Sequence, residues 1–308
     1  MKSLNINKRD KIVGALYGFV IGDALGAVTE YLTKEEIKNE YECGVISRVD
    51  AGHFFEKKIV YKTSNTDFML CIADAIMTRS DGLESFKMHC MDNFIQWYDK
   101  MALNAKIQCV RAIQEYINNG KYMMEDKTAL DCGSLMRALP CALIGDSVYN
   151  LYNIEQGKLT HNNTECTRII LEYTRIIQNI FEYKAYDLKV SKLLSPNEYA
   201  FNVLNNALFY FSSTSTFEDA VLGAVNDGGT SNSIAALAGS LAGARYGVSR
   251  IPSFWCESID EEVKKKLKKF INFCFSYLQI WKNVVEYIRV VRELKKVLRF
   301  KQNKNDWR

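Results

Sequence analysis

The sequence predicts an all-α protein. Three observations carry that prediction: 3 prolines in 308 residues, apolar residues recurring at three- and four-residue spacing, and no stretch of useful length alternating apolar with polar. Proline breaks helix interiors and marks loops, so its scarcity favours long helices with short connections. Apolar residues make up 48% and charged residues 25% of the chain, which excludes a disordered or fibrous protein. A chain of this length buries enough surface to fold without disulfides or structural metals.

The first element follows Lys8, Arg9 and Lys11 and runs through the apolar stretch from Ile12 to Gly22. It loosely imitates a signal peptide, but Asp23 interrupts it and the run is too short to span a bilayer. Gly14, Gly18, Gly22 and Gly26 recur every fourth residue, predicting a buried helix whose small-residue face lies close against a neighbour. Next comes Tyr61-Lys62-Thr63-Ser64-Asn65-Thr66-Asp67, a run of short oxygen-bearing side chains ahead of Phe68, Met69, Ile72, Ala75 and Ile76. It reads as a helix start, with Thr63 or Ser64 as the cap and Asp67 complementing the dipole. Phe94, Trp97, Tyr98 and Met101 mark a further helix, and Val110, Ile113 and Ile117 another that Asn119-Gly120 closes. Ser212–Thr216 reads as a short loop with Thr216 capping the helix after it, and Ala235–Gly247 as a second small-residue buried helix.

Charge is unevenly spread. From Lys264 to Arg308 there are 14 basic and 3 acidic residues, leaving residues 1–263 at −7 in a chain of net charge +4. Leu267, Phe270, Ile271, Cys274, Leu278, Trp281, Val285, Ile288, Val291, Leu294 and Leu298 trace one apolar face along this segment. The expected organisation is a main domain over residues 1–258 and a basic amphipathic helical extension over 259–308. The extension packs on the domain or, alternatively, serves an acidic partner or nucleic acid. The 9 cysteines are odd in number and contain no Cys-x-x-Cys pair, so reduced thiols and a cytoplasmic location are expected. No segment reaches the length of a membrane span.

Four segments stand out as chemistry: Gly22-Asp23-Ala24-Leu25-Gly26-Ala27 with Glu30, the Thr63–Asp67 run, Cys132–Pro140, and Gly228-Gly229-Thr230-Ser231-Asn232-Ser233. Asp23 and Glu30 share a helix face if that helix continues for two turns, and Gly228-Gly229 ahead of a helix makes a workable anion cradle. Each segment alone reads as a structural cap. Taken in order, with Thr160-His161 and Ile251-Pro252-x-x-Trp255, they resemble the ADP-ribosylglycohydrolase family, which includes the dinitrogenase-reductase-activating glycohydrolases. The motifs run from Ile12 to about Trp255, and Cys132 stands where the family has asparagine.

The resemblance implies a compact multi-helix domain with a central cleft that acts on or binds ADP-ribose or ADP-ribosylated protein, using two Mg ions. It places ligand contacts at Gly133, Ser134, Arg137, His161, Gly228 and Gly229, with Glu30 near the scissile bond. Arg137 alternatively anchors Asp131 or Asp146, and His161 alternatively caps a helix. The family's metal positions fall on Thr63, Ser64, Asn65, Thr230, Asn232 and Ser233, where four aspartates are replaced. With neutral groups in their place the ions lack charge compensation, so loss or weakening of hydrolysis is expected, together with a degenerate magnesium site. One alternative is an active hydrolase with a one-metal or metal-free site using Glu30 or Asp67. Another is a scaffold whose working part is the basic C-terminal helix.

Overall fold

The computed structural model describes residues 2–41, 43–56, 62–78, 82–101, 107–182, 190, 192–280 and 283. Its frame is built on two helices, α1 (Lys2–Gly26) and α12 (Ser231–Tyr246), with the stretch of α1 from Gly14 to Gly26 lying along α12. The glycines of both make this approach possible. A Cβ added at Gly18 would stand 2.8 Å from the Gly239 carbonyl carbon and 3.0 Å from Phe217 Cε2. One at Gly243 would press into the Gly14 carbonyl, and one at Gly26 would lie 2.6 Å from Asn232 N. Backbone therefore meets backbone at a distance only glycine permits. Thirteen-atom helical rings satisfy both backbones internally, so apolar walls can surround them. Every residue of α12 from Ser231 to Ala244 is buried.

Around this pair stand α2 (Lys34–Glu40), α3 (Arg48–Glu56), α4 (Ser64–Met77), α5 (Leu83–Met101), α6 (Ile107–Asn119), α7 (Leu139–Ile144), α8 (Ser147–Lys158), α9 (Thr164–Phe181), α10 (Ala200–Ser213), α11 (Phe217–Val225), α13 (Ser253–Glu257) and α14 (261–280). α10 and α11 flank α12, while α4 packs on α5 and α7, and α8 on α9. Among the described residues the only strand-like pairing is an isolated bridge between Asp131 and Tyr199.

Local chemistry sets the helix starts. Thr33 and Glu36 form a reciprocal capping box on α2, and Thr63 caps α4 by accepting from Asn65 N. Asn163 caps α9 by accepting from Glu165 and Cys166 N–H, and Thr216 caps α11. Pro140 sits in the first turn of α7, where its missing N–H costs nothing. Gly120 ends α6 at φ +64°.

Most of the expected apolar faces are buried, including Phe68, Met69, Ile72, Ala75, Ile76, Phe94 and Trp97. On α6 the buried face is Cys109, Ala112 and Ile113, while Ile117 is 49% exposed, so that face is rotated from the one periodicity suggested. Ser212 and Ser213 complete α10 rather than standing in the following loop. α1 ends at Gly26, so Glu30 lies in a turn and not two helical turns above Asp23. Val263, Leu267, Phe270, Ile271 and Cys274 of α14 are buried within the common core cluster. The remaining apolar positions from Trp281 to Leu298 lie outside the described residues. No helix of the described residues is long and apolar enough to cross a membrane.

Candidate active site

Four of the segments singled out by sequence converge at the adjoining ends of α1, α4 and α12. Asp23, fully buried near the C-terminus of α1, is the centre. Its Oδ1 accepts from Thr63 Oγ1 at 2.6 Å and Asn65 Nδ2 at 3.1 Å. Its Oδ2 accepts from Thr63 N at 2.9 Å, Thr66 N at 3.2 Å and Thr66 Oγ1 at 2.6 Å. Burial pushes the Asp23 carboxyl above its ordinary range, and these hydrogen bonds pull the other way. Asn65 Nδ2 also donates to Ser233 Oγ at 3.2 Å, and Ser233 N donates to Asn232 Oδ1 at 2.7 Å. Parallel ties hold the end of α1: Ser231 Oγ of α12 donates to Gly26 O at 2.8 Å, and Thr29 Oγ1, in the turn after α1, donates to Val225 O of α11 at 2.6 Å. Thr230 Oγ1 is buried and has no hydrogen-bond partner. Among the described residues no three His, Cys, Asp or Glu side chains gather as a metal-binding group.

Beside this centre lies a water-sized recess lined by Ser64, Asn65, Phe68, Cys109, Gly133 and Met136. Gly133 forms part of its wall because a Cβ there would meet Cys109 Sγ and His161 Cε1, both at 3.0 Å. Behind the wall Arg137 is fully buried. It donates through Nε to Gln156 Oε1 at 2.6 Å and through Nη2 to Gln156 O at 2.9 Å and Thr160 Oγ1 at 2.7 Å. Nη1 donates to Gly133 O at 3.3 Å, and the guanidinium faces the Phe94 ring at 5.0 Å. This corrects the sequence expectation: Arg137 anchors neither Asp131 nor Asp146, and its donors point into protein rather than toward a phosphate. Asp146 instead caps α8 and accepts from Tyr277 Oη.

Asp131 belongs to His161. The Asp131 carboxylate can only accept, so His161 Nε2–H donates to its Oδ1 at 2.8 Å, and His161 Nδ1 bonds Thr160 Oγ1 at 2.7 Å. Asp131 Oδ1 in turn accepts from Gly133 N at 2.9 Å. His161 is thus a buried strut that orients the Gly133 turn, and the cap of α9 is Asn163.

The Gly228-Gly229 turn carries φ of +70° and +59°, as two successive glycines permit. Its N–H groups do not form an open anion cradle. Gly229 N donates to Leu32 O at 2.8 Å and Thr230 N to Pro196 O at 2.9 Å. Tyr31, the one described non-glycine residue at positive φ (+70°), donates its N–H to Gly229 O at 2.7 Å and so fixes the turn carrying the half-buried Glu30 beside that loop. Asp227, buried just before the glycines, pairs with Lys34 at 2.7 Å and accepts from Asn206 Nδ2. Asp67 faces away from the Asp23 centre: its oxygens take Lys62 Nζ and, at 2.9 Å, Trp97 Nε1. Ser134 is buried and its hydroxyl has no partner.

Sequence reasoning placed Thr66 inside the Thr63–Asp67 run without giving it a role, although it gives Asp23 two hydrogen bonds, and did not single out Phe68, Cys109 and Met136 as recess walls. Thr66 was readable, being a hydroxyl one turn past the cap in a run of hydroxyls. The other three carry no signal, since they are ordinary core residue types.

The sequence profile of the ADP-ribosylglycohydrolase family matches residues 4–283. The chain belongs to this family. The match continues past Trp255, where the short motifs end, into α14. Over 283 residues the chain is 26% identical to an ADP-ribosyl-(dinitrogen reductase) glycohydrolase of Rhodospirillum rubrum, covering 85% of this chain and 95% of that protein. It is also 26% identical to the ADP-ribosylarginine hydrolase Tri1 of Pseudomonas putida (strain GB-1), covering 81% of this chain and 74% of the relative. A solved chain described as an ADP-ribosylglycohydrolase-related protein complex superposes with a TM-score of 0.69 at 22% identity, covering 87% of this chain and 99% of that one. That last likeness speaks for the fold.

Proposed function

We propose that this ADP-ribosylglycohydrolase-fold protein binds ADP-ribose or an ADP-ribosylated protein and that its hydrolytic activity is lost or strongly weakened. The observation that carries the reading is the donor set at the positions that the resemblance assigns to the metal. Ser64, Asn65, Thr230 and Asn232 bring hydroxyls and amides, and the Asp23 carboxylate beside them accepts from five donors. Magnesium requires oxygen donors, chiefly anionic ones, in near-octahedral geometry. Asn65 turns its N–H₂ toward Asp23, because an acceptor there needs a donor, and an amide nitrogen is no ligand for magnesium. Two magnesium ions do not fit these residues.

What remains is binding chemistry. The recess at Gly133 is only water-sized, far below whole small-molecule sites, so a nucleotide bound here would lie across its mouth and along the neighbouring rim. The relatives' names make ADP-ribosylarginine the first protein-linked substrate to test. Calorimetry with ADP-ribose, run with and without Mg²⁺, is expected to give the same affinity in both. Release of ADP-ribose from a modified arginine at an ordinary enzymatic rate in Mg²⁺ would overturn the reading. Any turnover that persists in a chelator identifies Glu30 as the base if Glu30→Gln abolishes it; Asp67 is already engaged by Lys62 and Trp97.

A further inference from the structure

We infer that Asn65 is a built-in replacement for the divalent ions, a hydrogen-bonded bridge that ties α1, α4 and α12 together and makes this protein's stability independent of metal. The geometry is specific. The Asn65 amide nitrogen lies between Asp23 Oδ1 of α1 (3.1 Å) and Ser233 Oγ of α12 (3.2 Å), while its backbone belongs to the first turn of α4. It therefore joins three helices at one point, as a shared cation would. Asp23 is fully buried and Asn65 is 3% exposed, so each polar atom here must find its partner within the protein. The hydroxyls of Thr63 and Thr66 and their N–H groups supply the remaining donors to Asp23. Donors and acceptors alternate from Asp23 through Asn65 and Ser233 to Asn232, whose Oδ1 takes the Ser233 N–H. A carboxylate at position 65 has no hydrogen to give to Asp23 or Ser233. It places two acceptor groups about 3 Å apart in a dry site, the situation a divalent ion resolves.

This inference rests on the reading above for the position of the family's ions, but its test uses no ADP-ribose, so the two fail separately. Full-length protein is stripped with a chelator and desalted, then melted with and without millimolar Mn²⁺ and titrated with Mn²⁺ alone by calorimetry. The wild type is expected to melt at the same temperature in both buffers and to give no saturable heat. Asn65→Asp is expected to melt about 5 °C or more below wild type without metal and to recover at least half of that loss in Mn²⁺. Asn65→Ala, which removes the donor without adding an acceptor, is expected to melt lower and to ignore Mn²⁺. Wild-type protein that binds Mn²⁺ saturably or is stabilised by it overturns the inference. So does Asn65→Asp that is as stable as wild type without metal, or that gains no more from Mn²⁺ than Asn65→Ala. Should the variants not fold, the wild-type titration decides alone.

Discussion

Gly18→Ala tests the seam on which the site depends. The added methyl would stand 2.8 Å from the Gly239 carbonyl carbon and 3.0 Å from Phe217 Cε2, where comfortable carbon contacts need about 3.5–4.0 Å. Relief requires α12 or α11 to move by roughly 0.5–1 Å, and the glycine contacts one turn away on either side resist a local tilt. Overpacking of this kind costs about 1–3 kcal/mol and sometimes more, against about 1 kcal/mol gained from replacing a helical glycine by alanine. Because the obstacle is backbone rather than the end of a flexible side chain, the upper part of the range applies, giving a net loss of roughly 1–2 kcal/mol once the propensity gain is subtracted. At about 2 cal/mol/K of unfolding entropy per residue, that lowers Tm by roughly 2–3 °C in a chain of this length. Gly52→Ala in α3 is the control, since a Cβ there meets nothing within 4 Å and helix propensity alone predicts a rise of about 1 °C. Thermal melts followed by circular dichroism at 222 nm compare the three proteins. The reasoning is refuted if Gly18→Ala melts at or above wild type, or if Gly52→Ala falls as far as Gly18→Ala.

Other perturbations follow from the same contacts. Arg137→Met keeps the stem but orphans Gln156 Oε1 and Gly133 O, and is expected to lower the urea midpoint by the equivalent of about 3 kcal/mol; an unchanged midpoint would show that those groups find water instead. Phe270→Ala in α14 removes a fully buried ring from the core and is expected to cost about 3–5 kcal/mol, whereas an extension packed loosely on the surface would lose little. Burial pushes the Cys71 and Cys166 thiols up to about 12 and Cys256 up to about 11. A raised thiol pKa means less thiolate, about 10⁻³ of Cys256 at pH 8 by the tenfold-per-unit rule, so iodoacetamide followed by mass spectrometry should mark the exposed Cys43 first. Labelling of the other three should rise about tenfold per pH unit below their pKa, and early labelling of Cys71 or Cys166 would count against this packing. Asn163→Ala strips the cap that holds Glu165 and Cys166 N–H and should lower stability by about 1–2 kcal/mol in the same urea series.

The sequence by itself determined the local features. The helix starts at Thr63 and Thr216, the stop at Gly120 and the small-residue faces at Gly14–Gly26 and Ala235–Gly247 are properties of a few neighbouring residues, governed by backbone freedom and by hydroxyls that bond the nearest N–H. Ordered motifs also pointed to the family, because each motif is short and contiguous. That the two glycine faces meet each other, and that α1 stops at Gly26 and leaves Glu30 in a turn, was decided by tertiary structure.

The same is true of each polar partner across the core. Asp131 lies six residues before Arg137 in sequence yet pairs with His161, while Arg137 reaches Gln156 and Thr160. Asn65 meets Ser233 across 168 residues of chain. Burial forces every donor there to find an acceptor, but which acceptor is within 3 Å depends on how distant helices stack, and no local pattern encodes that distance. The loops behave alike: Gly228-Gly229 looked open to an anion by composition, and the fold gave the neighbouring N–H groups to Leu32 and Pro196.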